Sequence, residues 1–333
     1  MTSAGIDQLF ESFNDLKVLV IGDVMIDAYL WGRVDRISPE APVPVITVTE
    51  REDRLGGAAN VALNVAAMGA QPIVCAIAGK DAKGEILTEL LEKRGLSSKG
   101  VVHSASRPTT VKSRVISGHQ HIVRVDEEST RALDPEEERA FLDNLEVIIR
   151  EEKPDVVIFE DYNKGLLTPN VIAHAIELSS NAGIPTAVDP KKANFFSYKG
   201  VTLFKPNLKE LREGLKVEFD KKDQKSLRQA VDLLEAEIHN RISLITLSEE
   251  GVYVKDGNKE NRIPAHIRNI SDVSGAGDTV ISVAALCLAQ NTDSAFLAAL
   301  ANLAGGLVCE RVGVVPIDRE QLLKEAKVHL LNV

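Results

Sequence analysis

The sequence predicts an α/β fold: three layers, with a mostly parallel central sheet between helices and a small β-sheet lid beside it. Three observations carry this reading. Short apolar runs of strand length alternate with longer segments of helical spacing. Two stretches break that rhythm with strand-like alternation. No Pro/Gly/Ser-rich linker, internal repeat or low-complexity tract divides the chain, so residues 1–333 are expected to form one domain with its lid.

The strand-length runs are KVLVIGD (17–23), PIVCAIA (72–78), PDVVIFE (154–160), PTAVD (185–189) and RISLITL (241–247). Helical spacing appears in GGAANVALNVAAMG (56–69), GEILTELLEKRG (84–95), residues 135–150 and NVIAHAIELSSNAG (170–183). The lid is expected over about 29–50, where YLWGRVDRISPEAPVPVITVTE is too proline-rich for a helix. Its second half, about 109–127, reads as a hairpin turning near Gly118 and His119. So few strands are only marginally stable alone and need a surface to cover, which suits a lid or a dimer contact.

Composition excludes several classes. A net charge of −10 with a pI near 5.3 gives no electrostatic footing on nucleic acid or an anionic membrane. The first residues, MTSAGIDQLFESFNDLK, have no basic region ahead of an apolar core, and no apolar run approaches the roughly 20 residues a membrane span needs. Cys75, Cys287 and Cys309 lie far apart in apolar settings, without CxxC spacing, and are expected as buried thiols of a cytoplasmic protein. His119 and His121, in a hairpin without nearby acids, read as polar residues and not metal ligands.

Function concentrates in DVSGAGDTV (272–280), a tight turn opening an apolar helix. The first turn of a helix offers N–H groups without carbonyl partners at the positive end of its dipole, and glycines let an anion approach them. Gly275, Ala276 and Gly277 therefore form a candidate anion hole, although two glycines also suit a plain sharp turn. Asp278 in that first turn is placed to take a proton from a hydroxyl attacking a phosphoryl group. No GxxxxGK[ST] occurs, and the first strand runs into GDVMID instead of GxGxxG, so neither a P-loop nor the usual dinucleotide fingerprint is present.

DVSGAGDT resembles the C-terminal signature of the ribokinase-type, or phosphofructokinase-B, carbohydrate kinases, and LGGAANVA (55–62) resembles their N-terminal double-glycine signature. The resemblance spans essentially the whole chain and implies a ribokinase-like fold, ATP with Mg²⁺, Asp278 as catalytic base and residues 275–277 as anion hole. A monovalent cation is left open. NLKE (207–210) makes a plausible capping box of Asn207 and Glu210, and the family places this motif near ATP phosphates and metal, Glu210 acting through a water. Thr246, Ser248 and Gly251 either meet phosphates or form a hairpin turn in LSEEGVY, and Asn302 completes the nucleotide set.

Asp27, read as ending the first strand, either accepts sugar hydroxyls or caps a turn; Gly56, Gly57 and Asn60 join it on the sugar side. A narrower resemblance, in RISPEAPVPV (36–45), DYNKG (161–165), VDPK (188–191) and KPNLKE (205–210), is to the kinase half of the bifunctional heptose 7-phosphate kinase/adenylyltransferases. It implies phosphorylation of O1 of D-glycero-D-manno-heptose 7-phosphate, towards ADP-heptose for lipopolysaccharide. The alternatives are another ribokinase-type sugar kinase or a non-catalytic sugar sensor. Ser274 stands where threonine is expected, and no HxGH motif of the second activity occurs, so a kinase-only version is expected. Lys164 and Lys191, each after a strand end, with Arg114 and Arg124 on the lid, are expected to meet the sugar's distal phosphate, and Asp161 to hold a hydroxyl or orient Lys164. The apolar VPVITV (43–48), with Tyr29, Leu30 and Trp31, predicts a homodimer through the lid.

Overall fold

The computed structural model describes residues 1–331 other than 119, 222 and 267. The N-terminal part runs α1 (Ser3–Ser12), β1 (Lys17–Gly22), β2 (Val24–Ile37), β3 (Pro44–Gly57), α2 (Ala58–Ala67), β4 (Gln71–Gly79) and α3 (Ala82–Lys93). Then follow β5 (Val101–Ser104), β6 (Val111–Ser117), β7 (Gln120–Glu127), α4 (Pro135–Glu152), β8 (Val156–Glu160), α5 (Pro169–Asn181) and β9 (Thr186–Asp189). The rest is β10 (Leu203–Phe204), α6 (Leu208–Leu215), α7 (Gln224–Ile238), β11 (Ile242–Thr246), β12 (Val252–Asp256), β13 (Lys259–Ile263), α8 (Ala276–Ala289), α9 (Ser294–Val308) and α10 (Arg319–His329).

Among the described residues the main sheet has nine strands in the order β13-β12-β11-β10-β9-β8-β1-β4-β5. Pairing is parallel from β5 through β11 and antiparallel at the β11-β12-β13 edge. β1 shows why its strands are continuous apolar runs. Val18 and Val20 join one core with α2, α8 and α9, while Leu19 and Ile21 join the other with α4, α5 and α7. Successive side chains point to opposite faces, so a sheet covered on both sides needs apolar residues at every position.

Caps set where the covering helices begin. Asp134 and Glu137 form a capping box with Pro135 in the first turn of α4, and Thr168 accepts the Val171 N–H ahead of Pro169 in α5. Cys75, Cys287 and Cys309 are buried free thiols as expected, and burial pushes the first two up to about 12. No helix among the described residues is long and apolar enough to cross a membrane.

The lid is a separate four-stranded sheet in the order β3-β2-β6-β7. Its hairpin turns through Gly118 at φ 60°, and His119 lies outside the described residues. Its first pair is longer than expected, and this corrects the reading of Asp27. β1 ends at Gly22; Asp27 belongs to β2, paired with Arg54 and Lys112 across the lid. The break is only Asp23, whose N–H bonds to the Glu160 carbonyl as the chain leaves the sheet, so GDVMID looks like one strand in sequence.

Gly22 allows that exit because a Cβ there would lie 2.2 Å from the Glu160 carbonyl oxygen. Gly22→Ala is therefore expected to lower the melting temperature, since a backbone clash in a packed core costs about 1–3 kcal/mol. Thermal unfolding checks this, and an unchanged midpoint would show that β1 and β8 can part without cost.

Candidate active site

The turn before α8 is shaped by Asp272, whose carboxylate accepts the Ser274 N–H and the Gly313 N–H, both at 2.9 Å. Gly275 caps the helix at φ 78°, a left-handed conformation, and a side chain there would also press on the Asn60 amide at 3.2 Å. Among the described residues no acceptor takes the N–H of Gly277 or Asp278. Of the expected anion hole, Gly277 thus keeps an open N–H, whereas that of Ala276 is taken by the Val273 carbonyl at 3.3 Å.

Asp278 is 5% exposed, with each oxygen held by one donor. Asn60 Nδ2 donates to Oδ2 at 2.6 Å and the Tyr162 hydroxyl to Oδ1 at 3.0 Å. Burial raises its pKa, with Asp189 adding to the rise, while the Asn60 and Tyr162 hydrogen bonds oppose it. The α2–α8 contact that sets this geometry is locked by Asn64, which accepts from the Thr279 hydroxyl and the Ile317 N–H and donates to the Asn60 carbonyl.

Tyr162 was not singled out from sequence, although it stands in DYNKG. It is positioned by Asp23, which accepts the Tyr162 and Lys164 N–H groups at 2.9 and 3.0 Å and the Leu166 N–H at 3.4 Å. Burial, with Asp161 adding, pushes Asp23 up to about 6. The Lys112 and Lys191 ammonium groups lie 5.7 and 5.4 Å from the Tyr162 ring centroid.

A cavity of about 770 Å³ adjoins Asp278, with Gly277 on one side and Asp189, Lys191, Lys205 and Thr246 among its other walls. Lys205, 2% exposed, bonds Asp189 at 2.8 Å. Lys191 bonds Glu210 at 2.8 Å and lies 3.7 Å from Asp189. Burial alone would raise the Asp189 carboxyl, but Lys205 and Lys191 hold it below the usual range. The two lysines make this cavity receptive to phosphates. Glu160, at the end of β8 beside Asp189, is fully buried with neither oxygen hydrogen-bonded among the described residues. Burial, then the charges of Asp189 and Asp278, push its carboxyl well above the usual range.

Other expected residues fall into place unevenly. Asn207 and Glu210 form the predicted capping box at α6. Asn207, Thr246 and Ser248 line the cavity. Gly251 instead serves the turn, at φ 88°, where a Cβ would meet the Ile263 carbonyl at 2.1 Å. Asn302 donates to the Pro264 carbonyl at 2.9 Å. On the lid side, Asp27 accepts from Arg114 at 2.6 Å and sits so close to Gly56 that a Cβ there would be 2.3 Å from its Oδ2. Gly57 turns into α2 at φ 60°.

Three expectations need correction. Lys191 does not join Lys164: it is drawn to Glu210 and Asp189 on the cavity wall, whereas Lys164 pairs with Glu128 at 2.7 Å. Asp161 does not orient Lys164 and has no open side, because Tyr198, Asn194 and the Asn163 N–H occupy its carboxylate. Arg124 is bound by Asp126 on its own strand. Each was read from its place after a strand or on the lid; nearby carboxylates took up the cations, and neutral donors took up Asp161.

A buried carboxylate beside open amides, next to a cavity lined by lysines and acids alike, makes up the candidate site. Residues 15–320 match the model of the pfkB family carbohydrate kinases. The chain belongs to that family. Among curated proteins it is 37% identical over 324 residues to the bifunctional protein HldE of Geobacter sulfurreducens, covering 97% of this chain and 65% of that one. To the HldE of Trichlorobacter lovleyi it is 40% identical over 319 residues, covering 96% of this chain and 64% of that one. The chain thus spans somewhat under two thirds of these relatives' length. Among solved structures, phosphofructokinase-2 from Escherichia coli with potassium superposes with a TM-score of 0.77 at 18% identity, covering 95% of this chain and 99% of that one. Arabidopsis thaliana ribokinase with ribose and ATP gives 0.70 at 18% identity, covering 93% and 99%.

Tyr162→Phe tests the geometry at Asp278. Losing the hydroxyl donor disfavours the carboxylate, so Asp278 becomes protonated at higher pH and the acid limb of kcat/KM moves up in pH. A pH–rate profile reads this directly. An acid limb that stays in place would mean that Tyr162 does not govern Asp278 during turnover.

Proposed function

We propose that residues 1–333 act as one kinase domain that transfers the γ-phosphoryl group of ATP to O1 of D-glycero-D-manno-heptose 7-phosphate. The product is the 1,7-bisphosphate, on the route to ADP-heptose for lipopolysaccharide. The observation that carries the chemistry is Asp278, buried and held by two donors at the open N-terminus of α8. The choice of sugar is supported by the DYNKG, VDPK and KPNLKE motifs and by the match of nearly the whole chain to proteins named HldE.

In this reading Asp278 accepts the proton of the acceptor hydroxyl as that oxygen attacks the γ-phosphorus, and the free N–H groups of α8 meet the charge gathering on the transferred oxygens. Lys191 and Lys205 neutralise nucleotide phosphates in the cavity. Among the described residues no group of three or more acids, histidines or cysteines could hold a metal unaided. Magnesium commonly takes one or two carboxylates and completes its shell with water and substrate phosphates, and Asp189 and Glu210 fit that habit. They would hold it, Glu210 through a water, and it would offset phosphate charge.

ADP release with a panel of sugars and sugar phosphates tests the assignment, the heptose 7-phosphate being the preferred acceptor; no release with any acceptor would favour a sensor. Asp278→Asn should lower kcat by about 10²–10⁴-fold with ATP binding retained. Near-native kcat in that variant would remove Asp278 as base.

The lid supports a second proposal, a homodimer. One face of the lid carries Leu30, Val115, Val123 and Val125 in cross-strand rows, with Val123 and Val125 half exposed. Tyr29 and Trp31, expected at the contact, instead stack on each other with Tyr29 against Arg54 and Arg114. A second copy covering the valines would close this edge. Light scattering should give a dimer at micromolar concentration, and Val123→Lys with Val125→Lys should give a monomer; a monomeric wild type would refute the contact.

A further inference from the structure

The polar face of the lid carries cations and acids side by side. Directly paired residues share a face, which places Arg54, Asp27, Lys112 and Asp126 in one row and Tyr29, Arg114 and Arg124 in the next. This face overlooks the reacting groups: Asp27 abuts Gly56, and Lys112 lies over the ring of Tyr162, whose hydroxyl holds Asp278.

The cations in and beside this face are nearly all neutralised. Arg54 forms two bonds to Glu52 at 2.7 and 2.8 Å, and Arg114 one to Asp27 at 2.6 Å. Arg124 forms two to Asp126 at 2.9 Å, and Lys164 one to Glu128 at 2.7 Å. Lys112 differs. Among the described residues no carboxylate lies within ion-pair distance of it, and its one contact with a charge preference is the Tyr162 ring. It is half-buried; burial and then the neighbouring Lys164 disfavour its charge, while Glu128, Asp27 and Asp126 favour it from beyond ion-pair distance. A partly desolvated ammonium with a like charge nearby and no carboxylate in direct contact is costly by itself and is relieved when an anion arrives.

We propose that Lys112 is the residue that recognises the phosphate already carried by the acceptor sugar. The inference rests on the sugar-phosphate reading above and names the group that enforces it. The nucleotide is the less suitable anion: Lys191 and Lys205 line the cavity beside Asp278, whereas Lys112 sits on the lid in the row of Asp27. Four paired cations give the rim its shape, and the unpaired one supplies the charge for the ligand. Such a lysine is selected for binding at the expense of the free protein's stability.

The test uses Lys112→Met, which keeps the aliphatic stem, and Lys112→Arg, which keeps the charge. With heptose 7-phosphate as acceptor, Lys112→Met should raise the acceptor KM about ten- to a hundredfold, the loss of one charge-assisted contact, while the ATP KM stays within about twofold. Lys112→Arg should recover much of the loss. The ligand-free Lys112→Met protein should melt no lower than wild type, and inorganic phosphate should raise the melting temperature of wild type more than that of the variant. The outcomes separate cleanly. A wild type that accepts the dephosphorylated heptose equally well overturns the sugar-phosphate reading and this inference with it. A wild type that requires the phosphate, with an unchanged acceptor KM in Lys112→Met, overturns the inference alone. A rise confined to the ATP KM overturns it as well, by assigning Lys112 to the nucleotide.

Discussion

The arrangement depends on one buried carboxylate, Asp278, held charged between two apolar helices by the donors around it. A buried acid without donors becomes neutral and useless as a base, whereas one clamped by strong cations would be too weak to take a proton. Neutral donors resolve this: the Asn60 amide and the Tyr162 hydroxyl hold one oxygen each. Each donor in turn needs a fixed backbone. Asn60 has it because Asn64 ties α2 to α8 and to the Ile317 N–H. Tyr162 has it because Asp23 gathers three N–H groups of the loop after β8.

Charge is sorted around that centre. Asp189 and Glu210 hold Lys205 and Lys191 at the cavity wall, so these cations are fixed in place. On the lid Arg54, Arg114 and Arg124 are likewise paired with carboxylates, which leaves them as structural charges. Preformed ion pairs limit the reorganisation that binding requires, and they spread the repulsion of a crowded site. Glu160 stands apart from these pairs: among the described residues no cation bonds to it, and burial with the charges of Asp189 and Asp278 pushes its carboxyl well above the usual range.

The sequence by itself determined the sheet, the covering helices and the glycine turn before Asp278. These depend on local facts: apolar periodicity, caps such as Asp134 and Asn207, and a left-handed position that glycine fills at 275. Two-residue β10 and the β12–β13 edge left no comparable periodic signal. The tertiary structure alone decided the partners of the polar groups. Asn60 and Asp278 are 218 residues apart in the chain, Arg114 and Asp27 87 apart, and nothing in local pattern distinguishes Lys191, which finds Glu210, from Lys164, which finds Glu128. It also moved Asp27 from the main sheet into the lid and singled out Lys112, because whether a charge is compensated depends on which carboxylates folding brings within reach.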